Sequence, residues 1–253
     1  GGTTITAGVL VVSSDANLGA ASGGLAFDGG TLRLGGSFNL AATRAITLNL
    51  VGTIDTNGFD TAISQGISGS GQLVKMGAGT LTLAGVSTYV GDTFVQGGTV
   101  AINSDASLGA ASGSLYLYDA RLRFLDSFDL AATRQVVLGG SGAMIDTNGF
   151  DTTIARSING AVRLTKAGAG VLTLSGENTY NGATFQGGVV AVSRDANLGS
   201  IFGGLIFDGG ALRFLASFDV MGSRTVTLAA GGGTIDTNGF DTTIDRGISG
   251  AGR

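Results

Sequence analysis

Short alternations of apolar and polar residues recur along the chain, each introduced by a small residue. Gly8 leads Val-Leu-Val-Val, Gly30 leads Thr-Leu-Arg-Leu, Gly52 leads Thr-Ile-Asp-Thr, Gly79 leads Thr-Leu-Thr-Leu and Gly98 leads Thr-Val-Ala-Ile. The same start returns at Ala120, Ala143, Gly170, Gly188, Gly210 and Gly233. Alternation over four or five residues predicts a strand with one buried face, and the small residue before it predicts a corner. One strand and corner every 20 residues or so is the signature of a solenoid. On this reading Leu32, Leu34, Ile54, Leu81, Leu83, Val100 and Ile102 point inward, and Phe27, Phe38 and Phe59 fill the other faces.

A longer period lies over the short one. Asp15-Ala-Asn-Leu-Gly is answered at Asp105 and Asp195, and Ile54-Asp-Thr-Asn-Gly-Phe-Asp-Thr is answered at Ile145 and Ile235. The run Lys75-Met-Gly-Ala-Gly-Thr-Leu-Thr-Leu comes back as Lys166-Ala-Gly-Ala-Gly-Val-Leu-Thr-Leu, and these are the only two lysines. The repeat units are 3–92, 93–183 and a partial 184–253, and both ends read as cuts through a longer array. The predicted fold is all-β: one continuous single-stranded parallel β-helix over 1–253, with about four coils per repeat. Tandem β-sandwiches are the alternative, but they do not require a corner glycine several times per unit. Stacked coils place Arg33 over Asp55, Arg123 over Asp146 and Arg213 over Asp236, as ion pairs that mark the register. Asn57-Gly58, Asn148-Gly149 and Asn238-Gly239 are turns suited to positive φ. Tyr89 and Tyr180 recur in register, so they read as turn scaffolding.

Composition narrows the chemistry. Glycine supplies 47 of 253 residues, and proline, cysteine, histidine and tryptophan are absent. Strands and tight turns are favoured over helices in such a chain. Without cysteine or histidine there are no disulfides, and the commonest metal ligands and general base are missing, so no metal or cofactor is expected. The net charge of -4, with basic residues scattered singly, argues against nucleic acid. No apolar run approaches the roughly 20 residues that span a bilayer, and no charged leader precedes an apolar core.

Residues that recur in every repeat serve the scaffold, so function is sought where the copies differ. The middle copy alone reads Leu115-Tyr-Leu-Tyr118, against Leu25-Ala-Phe-Asp28 and Leu205-Ile-Phe-Asp208, and arginines follow at 121 and 123. Exposed tyrosine beside arginine is enriched at binding hot spots, so Tyr116, Tyr118, Arg121 and Arg123 form the candidate ligand-binding patch. The third copy departs at Ile201-Phe202, where the earlier ones have Ala-Ser, and Glu177, the only glutamate, replaces Val86. The acidic residues that do not recur, Asp92, Asp119, Asp126 and Glu177, are scattered, which argues against a glycan-cleaving carboxylate pair.

The stretch Gly77 to Val100, with its glycines, Leu-Thr-Leu and Thr-Tyr pattern, resembles the passenger-associated β-strand repeat of autotransporters, the type V secreted proteins of Gram-negative bacteria. The resemblance implies a right-handed β-helix displayed at the bacterial cell surface and attached to the outer membrane through a barrel domain absent from these residues. It also implies a non-enzymatic adhesin whose partner is a host matrix protein, a glycan or another copy of itself. A passive stalk carrying a functional tip, or a polysaccharide-degrading β-helix enzyme, are the alternatives.

Overall fold

The computed structural model describes residues 1–253. They divide into two units, Gly1–Arg123 and Phe124–Arg253, each an all-β solenoid of stacked parallel strands. The helical turns are three short 3-10 segments, Asp15–Leu18, Asp105–Leu108 and Asp195–Leu198. Parallel ladders set aside the sandwich alternative, whose sheets are antiparallel.

Three columns of strands build the first unit. One stacks Thr3–Ile5, Leu25–Phe27, Ile46–Leu48 and Ile67–Gly69, with Leu25 over Ile46 over Ile67. A second stacks Val9–Val12, Thr31–Leu34, Gly52–Asp55, Leu73–Met76 and the beginning of Thr93–Ile102. The third stacks Thr61–Ile63, Thr80–Leu83 and the end of Thr93–Ile102. Alternate residues face inward on every strand, so Leu32, Leu34, Ile54, Leu81, Leu83, Val100 and Ile102 are all buried as the pattern predicts. Each such side chain contributes about 1.5–3 kcal/mol on leaving water, and the column geometry makes neighbouring turns share that burial.

The second unit repeats the scheme. Leu164–Ala167, Ala183–Phe185, Leu205–Phe207, Val226–Leu228 and Ile248–Gly250 form one column. Thr152–Ile154, Val171–Leu174, Val189–Val192, Ala211–Phe214 and Thr234–Asp236 form another.

Two expectations need correction. The strand led by Gly79 does not follow the strand led by Gly52: Leu73–Met76 takes that place, and Thr80–Leu83 lies between Thr61–Ile63 and Thr99–Ile102. The small-residue motif marks a corner, and a turn has more than one corner, so equal motifs need not share a column. Phe38 and Phe59 do not fill the interior; both are half-buried, as are Phe128, Phe150 and Phe218. Leu40 occupies the interior beside Phe38, and Phe128 and Phe218 lie against Phe124 and Phe214 with ring centroids 5.0 and 4.7 Å apart. Phe27, by contrast, is fully buried.

The register markers agree with the sequence in each unit. Arg33 Nε donates to Asp55 Oδ2 at 2.8 Å, and Arg213 Nε donates to Asp236 Oδ2 at 2.7 Å. Asn57, Asn148 and Asn238 have φ of 50°, 53° and 50°, each followed by glycine at positive φ. The asparagines also tie neighbouring turns together: Asn57 Nδ2 donates to the Leu34 carbonyl at 3.2 Å, and Asn238 Nδ2 to that of Phe214 at 3.2 Å.

Candidate binding surface

The outward face of the second column in the first unit changes character along its length. Thr31 and Thr53 give way to Val74 and then Phe94. The Phe94 ring stacks on Tyr116, with centroids 4.4 Å apart and planes 6° from parallel. Tyr116 and Tyr118, two residues apart on the same strand, hold their rings 6.4 Å apart and 3° from parallel. Period-two geometry puts both tyrosines on one face, and Leu115 and Leu117 between them anchor the strand in the core. The three rings are half-buried, and stacking of this kind is worth about 0.5–1.5 kcal/mol per pair beyond the area it covers. An open hollow of about 420 Å³, lined by Gln96, Gly97, Tyr118 and Asp119, adjoins them.

Arg121 and Arg123 lie past a corner. Asp119 has φ of 50°, at the place where Gly97 and Gly98 turn the preceding coil. The predicted patch is therefore two surfaces: a tyrosine face before the corner and an arginine face after it. Phe94 was the part that sequence reasoning missed. Its signal was masked by a one-residue offset: the repeat aligns Thr93-Phe94 with Thr184-Phe185, whereas the ladders stack Phe94 on Val74 and Thr184 on Thr165, so that only the middle copy is aromatic at that outward position.

Charge is also placed where the alternation does not show it. Arg44 is fully buried and caps the turn Asp15–Leu18. Its Nε and Nη2 donate to the Asp15 carboxylate at 2.8 Å each, and Nη1 donates to the carbonyls of Leu18 at 3.3 Å and Gly23 at 2.8 Å. The hydrogen bonds from Arg44 hold the Asp15 carboxyl below its usual range, against the opposing effect of burial. Arg224 grips Asp195, Leu198, Gly199 and Gly203 in the same way in the second unit. The signal was an arginine at one fixed distance after each Asp-Ala turn: Arg44, Arg134 and Arg224.

The two recurring lysines are scaffold, as their repetition implied. Lys75 points inward between Ile54 and Val95, and its ammonium reaches the corner. There it donates to Thr56 Oγ1 at 2.8 Å and to the carbonyls of Met76, Gly77 and Gly97 at 3.1, 2.6 and 3.2 Å. Lys166 donates likewise to Ala167, Gly168 and Gly187. Burial lowers both ammonium groups to about 8, with Asp55 and Asp60 opposing at Lys75 and Asp146 and Asp151 opposing at Lys166. Tyr89 and Tyr180 are fully buried; Tyr89 hydrogen-bonds Thr93 at 2.6 Å, and Tyr180 donates to the Asn197 carbonyl at 3.1 Å.

A known family covers these lysine-led strands and the coil that follows each. Residues 73–102 and 164–192 match the passenger-associated-transport-repeat family. The chain carries two passenger-associated-transport repeats. Their setting is consistent with the relatives: an adhesin autotransporter of Brucella suis, BmaC, is 35% identical over 163 residues, covering 63% of this chain and 5% of that protein. An extracellular serine protease of Serratia marcescens is 46% identical over 54 residues, 21% of this chain and 5% of its own length. An uncharacterized lipoprotein of Escherichia coli, YdeK, is 32% identical over 106 residues, 37% of this chain and 8% of that protein. The passenger repeats here thus span a small fraction of each relative. No solved structure matches the chain.

Proposed function

We propose that these passenger repeats belong to a non-enzymatic, surface-displayed adhesin and contact a host matrix protein through the aromatic face of the first unit. The observation that carries the reading is the stack of Phe94, Tyr116 and Tyr118, found where the other repeat copies hold Thr, Ala, Ile or Asp. Aromatic side chains on a rigid strand bring contact area at small entropic cost, which is why they dominate binding energies. Similarity to an adhesin autotransporter supports the assignment. Outer-membrane attachment would come from a barrel elsewhere in the full-length protein.

The test is titration of the chain against immobilised fibronectin, collagen and laminin, and against itself, at low and physiological salt. Replacing Tyr116 and Tyr118 together by serine should weaken a saturable interaction by about tenfold or more while the chain stays folded at the assay temperature, as a melting curve checks. Unchanged affinity in the double variant would remove the face from consideration. A second reading, a stalk that carries activity located elsewhere, is favoured by the shared segment in an extracellular serine protease. A folded chain that binds no member of the panel would support it.

A further inference from the structure

A second surface, in the other unit, joins two features that stood apart in the sequence. Glu177 and Ile201 line one groove of about 750 Å³, together with Arg156, Ser157, Asn159 and Thr179. Phe202, the next residue along the turn, is 78% exposed, and Ile201 is 41% exposed.

The repeat itself supplies a comparison. One repeat earlier, the positions of Gln135, Arg156, Ser157, Asn159, Glu177 and Ile201 are held by Ala45, Gln65, Gly66, Ser68, Val86 and Ala111, and Ser112 stands at the position of Phe202. The supporting core does not change: Ile158, Tyr180 and Leu198 answer Ile67, Tyr89 and Leu108, and all are buried. Relative to the first copy, divergence has therefore gathered on one groove: Ala45, Gly66, Ser68 and Val86 give way to larger hydrogen-bonding side chains, Ala111 and Ser112 to large apolar ones, and Gln65 to an arginine that the third copy also holds, at Arg246.

The polar groups are also ordered. Gln135 Nε2 donates to the carbonyls of Ser157 at 2.5 Å and Val136 at 3.0 Å. Its Oε1 accepts from Arg156 Nε at 3.0 Å, which fixes the guanidinium while its two terminal nitrogens remain available. That fork matches a carboxylate. Glu177 is paired with Arg194 at 3.2 Å, so the groove's net charge is carried by Arg156.

We propose that this groove binds a glycan containing a carboxylate sugar of the uronic acid class. The carboxylate sits on Arg156, ring hydroxyls face Asn159, Thr179 and Glu177, and the C–H face of a sugar lies on Ile201 and Phe202. A sugar ring is apolar on its faces and polar at its edge, and this groove offers both kinds of surface. The volume falls within the range of small-molecule sites. A single arginine on a chain of net charge -4 suits one carboxylate per few sugars and disfavours densely sulfated polymers.

Calorimetric titration of the 253-residue chain with a hyaluronan octasaccharide, and with a neutral chitin hexasaccharide, tests the site. Hyaluronan should bind saturably and at least about tenfold more tightly than the neutral oligomer. Arg156→Gln should remove that preference, and the Ile201→Ala/Phe202→Ser double variant should weaken both oligomers. Each change restores a residue type that the preceding repeat already holds, so the fold should survive, and melting curves check it. The Tyr116→Ser/Tyr118→Ser variant should bind hyaluronan like the parent, which separates this site from the matrix-binding face. Absence of hyaluronan binding, equal affinity for both oligomers, or parental affinity in both groove variants would overturn the assignment.

Discussion

Replacing Arg44 by methionine isolates the buried clamp of the first unit. The methionine keeps most of the apolar stem but removes every donor. Two charge-assisted bonds to Asp15 are lost, along with bonds to the carbonyls of Leu18, Gly23, Asp15 and Gly19. Removing one partner of a buried charge pair costs about 3–5 kcal/mol, because the other is left unpaired. Here the Asp15 side chain is 19% exposed and keeps the Ala41 N–H, so water and that bond offset part of the loss. The expected cost is about 3 kcal/mol, read as a shift of the urea midpoint by far-UV circular dichroism. Hydrogen exchange at residues 15–23 should quicken most. The pH dependence checks the cause. Asp15 has a lowered folded pKa, so its contribution is complete above the unfolded value of 3.8 and is lost as pH falls through the folded value. The gap between parent and variant should therefore narrow in acid. A cost below about 1 kcal/mol, or a gap that does not change with pH, would refute the clamp.

The lysines and a corner glycine give two further tests. Because Lys75 and Lys166 are the only lysines, their side-chain nitrogen signals are readily assigned by NMR, and both should titrate near 8; midpoints at or above 10.5 would contradict the burial argument. Since the unfolded state holds these protons more tightly, stability should rise between pH 8 and pH 10.5, contrary to what a surface ammonium would give. Gly98 has φ of 65°, and an added Cβ would lie 2.5 and 2.6 Å from the carbonyl oxygens of Gly79 and Gly77 and 2.8 Å from Lys75 Nζ, so Gly98→Ala should cost about 1–3 kcal/mol in urea unfolding. Gly58→Ala, at φ of 90° with open space around it, should cost less; equal costs would show that crowding at the Gly98 corner adds nothing to the backbone strain.

Alternation was legible because burial on one face of a strand imposes a period of two, whatever the loops do. Leu32, Leu34, Leu81 and Val100 follow from it directly. The ion pair of Arg33 with Asp55 was legible because both the corner and the outward position recur. The buried arginines were not, since their partners lie more than a full coil away and the alternation has no position for a cation. Phe38 was misplaced for a related reason: composition ranks phenylalanine as interior, but its neighbour Leu40 already fills the space. Of the candidate surfaces, the tyrosines were legible as departures from the repeat. The corner between Tyr118 and Arg121 was legible at Ala120, which starts the next alternation; only its positive φ, carried by Asp119 where the previous coil uses glycine, was not.

The corner also explains why equivalent surfaces vary independently while the core repeats. In the first unit, four turns carry the chain from Val9 through Thr31, Thr53 and Val74 to Phe94. The sequence repeat returns the counterpart of Val9 at Thr99, beyond the corner made by Gly97 and Gly98, where it stacks on Thr80 in the third column. In the second unit, four turns carry the chain from Met144 through Thr165, Thr184 and Ile206 to Thr227, yet the counterpart of Met144 is Thr234, in the column of Ala211. One repeat is thus four turns and one further face. Interior positions are indifferent to this shift, because every column needs the same apolar alternation. Outward positions are not, because each copy presents them to different neighbours. A side chain selected for contact in one copy gains nothing by being copied to the next, and so Tyr116 and Tyr118 occur once, as do Glu177 and Phe202.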